Sequence, residues 1–222
     1  MTEPMIFSTD CTACPRLAAF LEAGRASHPG YYCRPVPAFG DANPKLLIVG
    51  LAPGFHGANR TGRPFTGDHA GILLYETLHA FGYADRPASV AADDGLRLNG
   101  CRITNAVKCV PPENKPETAE IKRCNGYLKA ELSALPAHSA ILALGQIAHK
   151  AVLMALGLKE KAHPFGHGAF HLLPAPASGA GAGGEGTLRL HDSYHCSRYN
   201  TQTRRLTPEM FRAVFQHIQE GT

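Results

Sequence analysis

Long apolar runs are missing from this chain. The most hydrophobic stretches, such as LLIVGLA at Leu46–Ala52, are far too short to span a bilayer, so no membrane association is expected. The opening residues MTEPMIFSTDCTAC carry no basic n-region and no apolar h-region. No signal peptide is therefore expected, and a soluble, cytoplasmic protein is. A strong charge bias is missing too. The formal net charge is +4 with His neutral, which permits an anionic partner without demanding one. Nor is there an even set of cysteines. The seven are Cys11, Cys14, Cys33, Cys101, Cys109, Cys124 and Cys196. An odd number without a secretory signal argues against a disulfide framework and leaves metal binding, reactive thiols or burial.

What is present suits a globular protein. The 222 residues, 44% of them apolar, suffice for one sizeable domain and are few for two, so a single domain over 1–222 is expected. Four apolar runs read as buried strands: Lys45–Leu51, Cys101–Val107, Ser139–Leu144 and Thr187–His191. The first and third are nearly continuous in hydrophobicity, as in strands covered on both faces. Helical patterns alternate with them at Gly71–Phe81, Thr118–Leu135, Ile147–Leu156 and Pro208–Ile218. The expectation is an α/β fold, a three-layer α/β/α sandwich with a central, mainly parallel four-stranded sheet. In such folds the site lies at the C-terminal ends of the strands, after Leu51, Val107, Gly145 and His191. The low-complexity stretch PAPASGAGAGGEG at Pro174–Gly186 reads as a surface loop.

The first strand runs into GLAPGFHGANRTGRPFTGDHAG, Gly50–Gly71, with six glycines and two prolines in twenty-two residues. So much glycine lets backbone approach a ligand closely, although a plain surface loop has the same composition. It is not a Walker A loop, because no Gly-Lys-Ser/Thr follows. Asp68 reads equally as the cap of the next helix, and Phe65 as core. Cys11 and Cys14 form C-x2-C just before a helix, Cys109 ends the second strand, and Cys124 lies in the next helix. Spacing alone admits an iron–sulfur cluster, a zinc ion or unligated buried thiols.

GLAPGFHGANRTGRPFTGD closely resembles the first motif of the uracil-DNA glycosylase superfamily, in particular its type B enzymes, called family 5. The resemblance continues in order through RPVPAFGD, LRLNGCRITNAVKCVPPENKP, ALGQIAH, FGHG and SYHCSRYNTQTRRLT. It implies a DNA repair glycosylase, monomeric, acting on DNA that contains uracil or other deaminated bases. It also implies a structural 4Fe-4S cluster on Cys11, Cys14, Cys109 and Cys124. Asn105 becomes the expected reader of the base edge, where without the resemblance it is an ordinary buried amide. His195 matches the histidine of the family's H-P-S motif, here HCS, with Cys196 in place of proline. Arg198, Tyr199, Arg204 and Arg205 become expected DNA contacts, against the plain reading of a solvated basic loop.

The reaction so implied begins with a flipped nucleotide, since a base inside a duplex is out of reach. Gly50, Ala52, Pro53, Gly54, Phe55, Phe65, Asn105 and His195 form the expected base-binding set. Phe65 stacks on the base, while His195 and backbone N–H groups of Gly50–Gly54 stabilise the departing anion. Relatives in other families carry Asp, Asn or Glu after the motif's proline. This chain has Phe55 and His56 there, which leaves Asp68 as the nearest carboxylate and the candidate water activator. No lysine stands at a matching position for lyase chemistry. Two other readings stay open: a DNA-damage binding protein without catalysis, and an enzyme acting on free nucleosides.

Overall fold

The computed structural model describes residues 6–176 and 186–221. In chain order its helices are α1 (Pro15–Ser27), α2 (Ala58–Thr61), α3 (His69–Ala80), α4 (Thr118–Ser133), α5 (Gln146–Ala155), α6 (Arg198–Gln202) and α7 (Pro208–Glu220). Its strands are β1 (Phe39–Gly40), β2 (Leu46–Gly50), β3 (Cys101–Asn105), β4 (Ala140–Leu144), β5 (Phe170–Pro174) and β6 (Thr187–Ser193).

One sheet runs through the molecule in the order β1-β3-β2-β4-β6-β5. The four inner strands are parallel and are those expected from the apolar runs. The sheet has six strands rather than the expected four, because antiparallel β1 and β5 close its edges. Neither edge strand carries a pattern to read: β1 has only two residues, and β5 (FHLLP) is largely exposed. The low-complexity stretch after β5 falls mostly on 177–185, outside the described residues.

Alternation along the inner strands splits the core in two. Leu46, Ile48, Ile103 and Leu142 face α3 and α7 through Leu74, Leu78, Phe211 and Phe215. Leu47, Val49, Ile141 and Ala143 face α4 and α5 through Leu128, Leu132, Ala148 and Val152. The helix layers on both faces complete the α/β/α sandwich. Local signals agree with this packing. In α7, Thr207 caps the first turn and accepts a hydrogen bond from the Met210 N–H, and Pro208 follows at the first helical position. Phe211, Val214, Phe215 and Ile218 then fall on one face, each burial contributing about 1.5–3 kcal/mol. The register sets Gly50 of β2 beside Asn105 of β3, and Leu144 of β4 beside Ser193 of β6. The parallel strands therefore end together, and the loops that follow them meet at one edge.

Candidate active site

A cavity of about 390 Å³ opens at that edge, within the size range of small-ligand clefts. Leu51, Ala52, Gly54 and Ala58 line it from the loop and helix after β2, with Phe65, Asp68, His69 and Ala70 following. Asn105 and Asn114 line it from β3 and the turn beyond, and His195, Ser197 and Arg198 from the segment after β6.

Gly50 explains how two of these groups come together. A Cβ there would lie 2.4 Å from Asn105 Oδ1 and 2.7 Å from Phe65 Cζ, so only hydrogen fits between them. Asn105 is 3% exposed, and among the described residues its Oδ1 has no hydrogen-bond partner. A buried polar atom without a partner costs about 1–3 kcal/mol, which a ligand donor would recover. Phe65 has a φ of 55°, the left-handed region, at a cost of roughly 1–3 kcal/mol. Its carbonyl presses on Gly71, where a Cβ would lie 1.9 Å from the oxygen. Its ring faces the His195 imidazole at 5.8 Å between centroids, with 31° between the planes.

Burial pushes the His195 imidazole down to about 4, so at neutral pH the ring is uncharged and can donate one N–H. Its backbone is held from behind, the Asn200 amide donating to the His195 carbonyl at 2.8 Å.

The two carboxyl oxygens of Asp68 face different neighbours. Oδ1 caps α3, accepting from the Gly71 N–H at 3.1 Å. Oδ2 turns towards the glycine loop, where a Cβ on Gly57 would lie 2.4 Å from it and one on Gly54 3.4 Å. Burial raises the carboxyl above its ordinary range, against the lowering effect of the Gly71 and Ala70 N–H groups.

Other expected site residues lie elsewhere. Gly50 is beneath the cavity, and Pro53 is not among its lining residues. Phe55 turns away and packs with Phe20, His28 and Tyr31 beside α1, at 5.2–5.8 Å between centroids. Of the basic segment, Arg198 borders the cavity, Tyr199 is 70% exposed, and Arg204 is exposed. The Arg205 guanidinium sits over the Tyr194 ring at 4.5 Å. Among the lining residues outside the expected set are His69 and Asn114. His69 Nε2 meets Thr201 Oγ1 at 3.0 Å and ties α3 to α6. Asn114 has a φ of 56° in the turn Pro112–Asn114; the local sequence PPEN, a turn signature after a strand, was its one available signal.

The four expected cysteines converge on one small apolar cavity with Phe7, Leu17, Lys108, Arg123 and Tyr127. Cys109 is pushed up to about 12 by burial and by the neighbouring Cys124, Cys11 and Cys14, and Cys124 to about 11 by burial. Donors already point at the sulfurs: the Lys108 N–H at Cys124 Sγ, 3.3 Å, and the Tyr127 hydroxyl at Cys11 Sγ, 3.4 Å. Cys196 is fully buried, and burial pushes its thiol up to about 12.

The ligand-type atoms of His149, His171 and Asp192 also approach within 4.8 Å. Both ring nitrogens of His149 are already taken, by Asp192 Oδ1 and the His163 carbonyl, each at 2.8 Å. With oxygen acceptors at both nitrogens, the pairing with Asp192 favours the charged form of His149 against the opposing effect of burial.

Comparison with known proteins agrees with this arrangement. The family model of the uracil DNA glycosylase superfamily matches residues 37–219. A type-5 uracil-DNA glycosylase of Thermus thermophilus is 49% identical over 93% of this chain and 91% of its own. The type-5 enzyme of Mycobacterium bovis is 44% identical over 95% of this chain and 77% of its own. That of Pyrobaculum aerophilum is 39% identical over 93% and 87%. With a family model matched over most of its length and relatives 39–49% identical over nearly all of it, the chain belongs to the uracil-DNA glycosylase superfamily.

Proposed function

We propose that the protein is a DNA glycosylase that hydrolyses the N-glycosidic bond of uracil, and of other deaminated bases such as hypoxanthine and xanthine, in DNA. The observation that carries the reading is the unpartnered Oδ1 of buried Asn105, set beside the Phe65 ring and an uncharged His195.

In this reading the nucleotide leaves the stack and its base enters the cavity against Phe65. The Asn105 amide meets the base edge, its free Oδ1 accepting an N–H. As the bond from C1′ to the base nitrogen breaks, the electron pair leaves with the base. The His195 N–H and backbone N–H groups of the Gly50–Gly54 loop stabilise that charge, and in a dry cavity such donors count for more than in water. A neutral imidazole suits the task, because it donates a hydrogen bond without surrendering its proton. Water adds to the sugar cation at C1′, and its proton passes to Asp68, whose burial makes it a stronger base than an exposed carboxylate. No lysine lines the cavity among the described residues, in keeping with hydrolysis to an abasic site without strand cleavage. Arg198, Tyr199, Arg204 and Arg205 supply the face towards DNA.

Cys11, Cys14, Cys109 and Cys124 would hold a 4Fe-4S cluster. Four thiols from separate segments lining one small apolar cavity, with donors on two of the sulfurs, suit such a cluster. The cluster would supply cross-linking, tying the segment before α1 to the loop after β3 and to α4. Elemental analysis of the purified protein should find iron; stoichiometric zinc without iron overturns this assignment. For the activity, the protein is incubated with duplexes bearing uracil, hypoxanthine or xanthine, and alkali-labile sites are counted. Uracil excision is the expected result. Tight binding of such duplexes with no turnover would instead make the protein a damage-binding member of the fold.

A further inference from the structure

We propose that Arg63 and Asp94 form a positioning pair that sets the Phe65 ring for stacking, an inference that rests on the cavity being a base pocket. Neither residue lines the cavity. They are 31 positions apart in the chain, and their side chains are 5% and 8% exposed. Arg63 Nη1 donates to Asp94 Oδ1 at 2.7 Å and to Ser89 Oγ at 3.0 Å, while Nη2 reaches the Ala92 carbonyl. The guanidinium also sits over the Phe39 ring, 4.3 Å from its centroid.

Asp94 organises its own loop at the same time. It accepts from the N–H groups of Val90 at 2.8 Å, Ala91 at 3.3 Å and Leu96 at 2.9 Å. The loop then returns a second grip on the far side of Phe65, because Ser89 Oγ and Thr66 Oγ1 share a hydrogen bond of 2.7 Å. Between them the Pro64 carbonyl accepts from the Tyr75 hydroxyl at 2.8 Å. Arg63, Pro64 and Thr66 are thus each fastened to a partner outside their own loop, and Phe65, with its unfavourable positive φ, is the residue they enclose. A buried ion pair is a poor device for stability alone, since apolar residues of like volume often serve as well. Its directional bonds fix position, and here the position fixed is that of the stacking ring.

The test uses Arg63→Met and Asp94→Asn, singly, together and on a Phe65→Ala background, all checked as folded by circular dichroism at the assay temperature. Single-turnover excision of uracil is compared with affinity for a duplex carrying an abasic analogue. Each single variant should lose about 10- to 100-fold in rate, the scale of a roughly 1 Å misplacement, and at most about 3-fold in affinity. The double variant should be no slower than the slower single one, and neither substitution should slow Phe65→Ala further. Wild-type rates in folded single variants overturn the proposal. So does a further loss on the Phe65→Ala background, or an equal loss of rate and affinity, because either would mark a general structural effect. If the single variants do not fold, Ser89→Ala, which removes the hydroxyl linking Arg63 to Thr66, is judged by the same criteria. Normal excision by Phe65→Ala itself removes the base-stacking reading and this proposal with it. A slow Phe65→Ala beside normal pair variants removes this proposal alone.

Discussion

Asp68→Asn separates the two jobs that one carboxyl performs. Oδ1 caps α3 and Oδ2 faces the glycine loop, so the substitution can remove one job and keep the other. Asn accepts the Gly71 N–H about as well as Asp does, and the two rank nearly level as helix caps, so the cap should survive. Burial raises the Asp68 carboxyl in the folded protein, which means that the folded state disfavours its ionised form. Replacing it with a neutral amide at neutral pH should therefore leave Tm unchanged or slightly higher. The rate behaves oppositely. An amide cannot take a proton from water, and general-base catalysis contributes about 100- to 10,000-fold. Single-turnover uracil excision should fall by at least roughly 100-fold at neutral pH with Tm preserved. The pH profile adds an independent check. In the unsubstituted protein the acidic limb should lie above the ordinary carboxylate range, since the folded value is raised, and in Asp68→Asn it should vanish. Near-normal rates in a stable Asp68→Asn protein would refute the base assignment and leave Asp68 as a helix cap.

His195→Ala should slow single-turnover cleavage by about 100- to 1000-fold, the cost of one lost anion donor, and should weaken binding of uracil-containing DNA far less. Equal losses in both would place the ring in ground-state binding. Arg204→Ala should weaken binding to all DNA sequences alike and lower the slope of log affinity against log salt by about one; an unchanged slope removes Arg204 from the phosphate contacts. The His149–Asp192 pair predicts a dependence of stability on pH. Burial opposes the charge on His149, but the bond and charge of Asp192 and the His163 carbonyl outweigh it and raise the ring above the usual histidine range. The stabilisation is then complete below the ordinary histidine pKa and disappears as pH rises through the raised value. Tm should fall over that alkaline window, and His149→Gln, which leaves Asp192 without its cation, should cost about 3–5 kcal/mol and abolish the dependence.

How far the sequence was readable follows from where each signal resides. Leu46–Gly50 and Ala140–Leu144 are buried at every position, so their composition alone declared parallel inner strands. The edge strands declared nothing, because two residues, or five largely exposed ones, satisfy no periodicity. Topology put Asn105 and His195 at the edge where parallel strands end, and the motif resemblance singled them out there. Phe55 shows where that placement stops. It sits among the glycines of the same loop, yet its direction is decided by Phe20 and Tyr31, which no local pattern connects to it. Arg63 and Asp94 lie beyond it for the same reason. Each is an ordinary charged residue in a loop until the fold buries both and joins them. Residues at a strand end can thus be placed from chain order, whereas residues that hold the main chain around them depend on tertiary pairing. The glycine loop makes the difference concrete: its glycines open the space at Gly50 and Gly71, and distant partners such as Asp94 and Tyr75 fix the main chain that carries the ring into it.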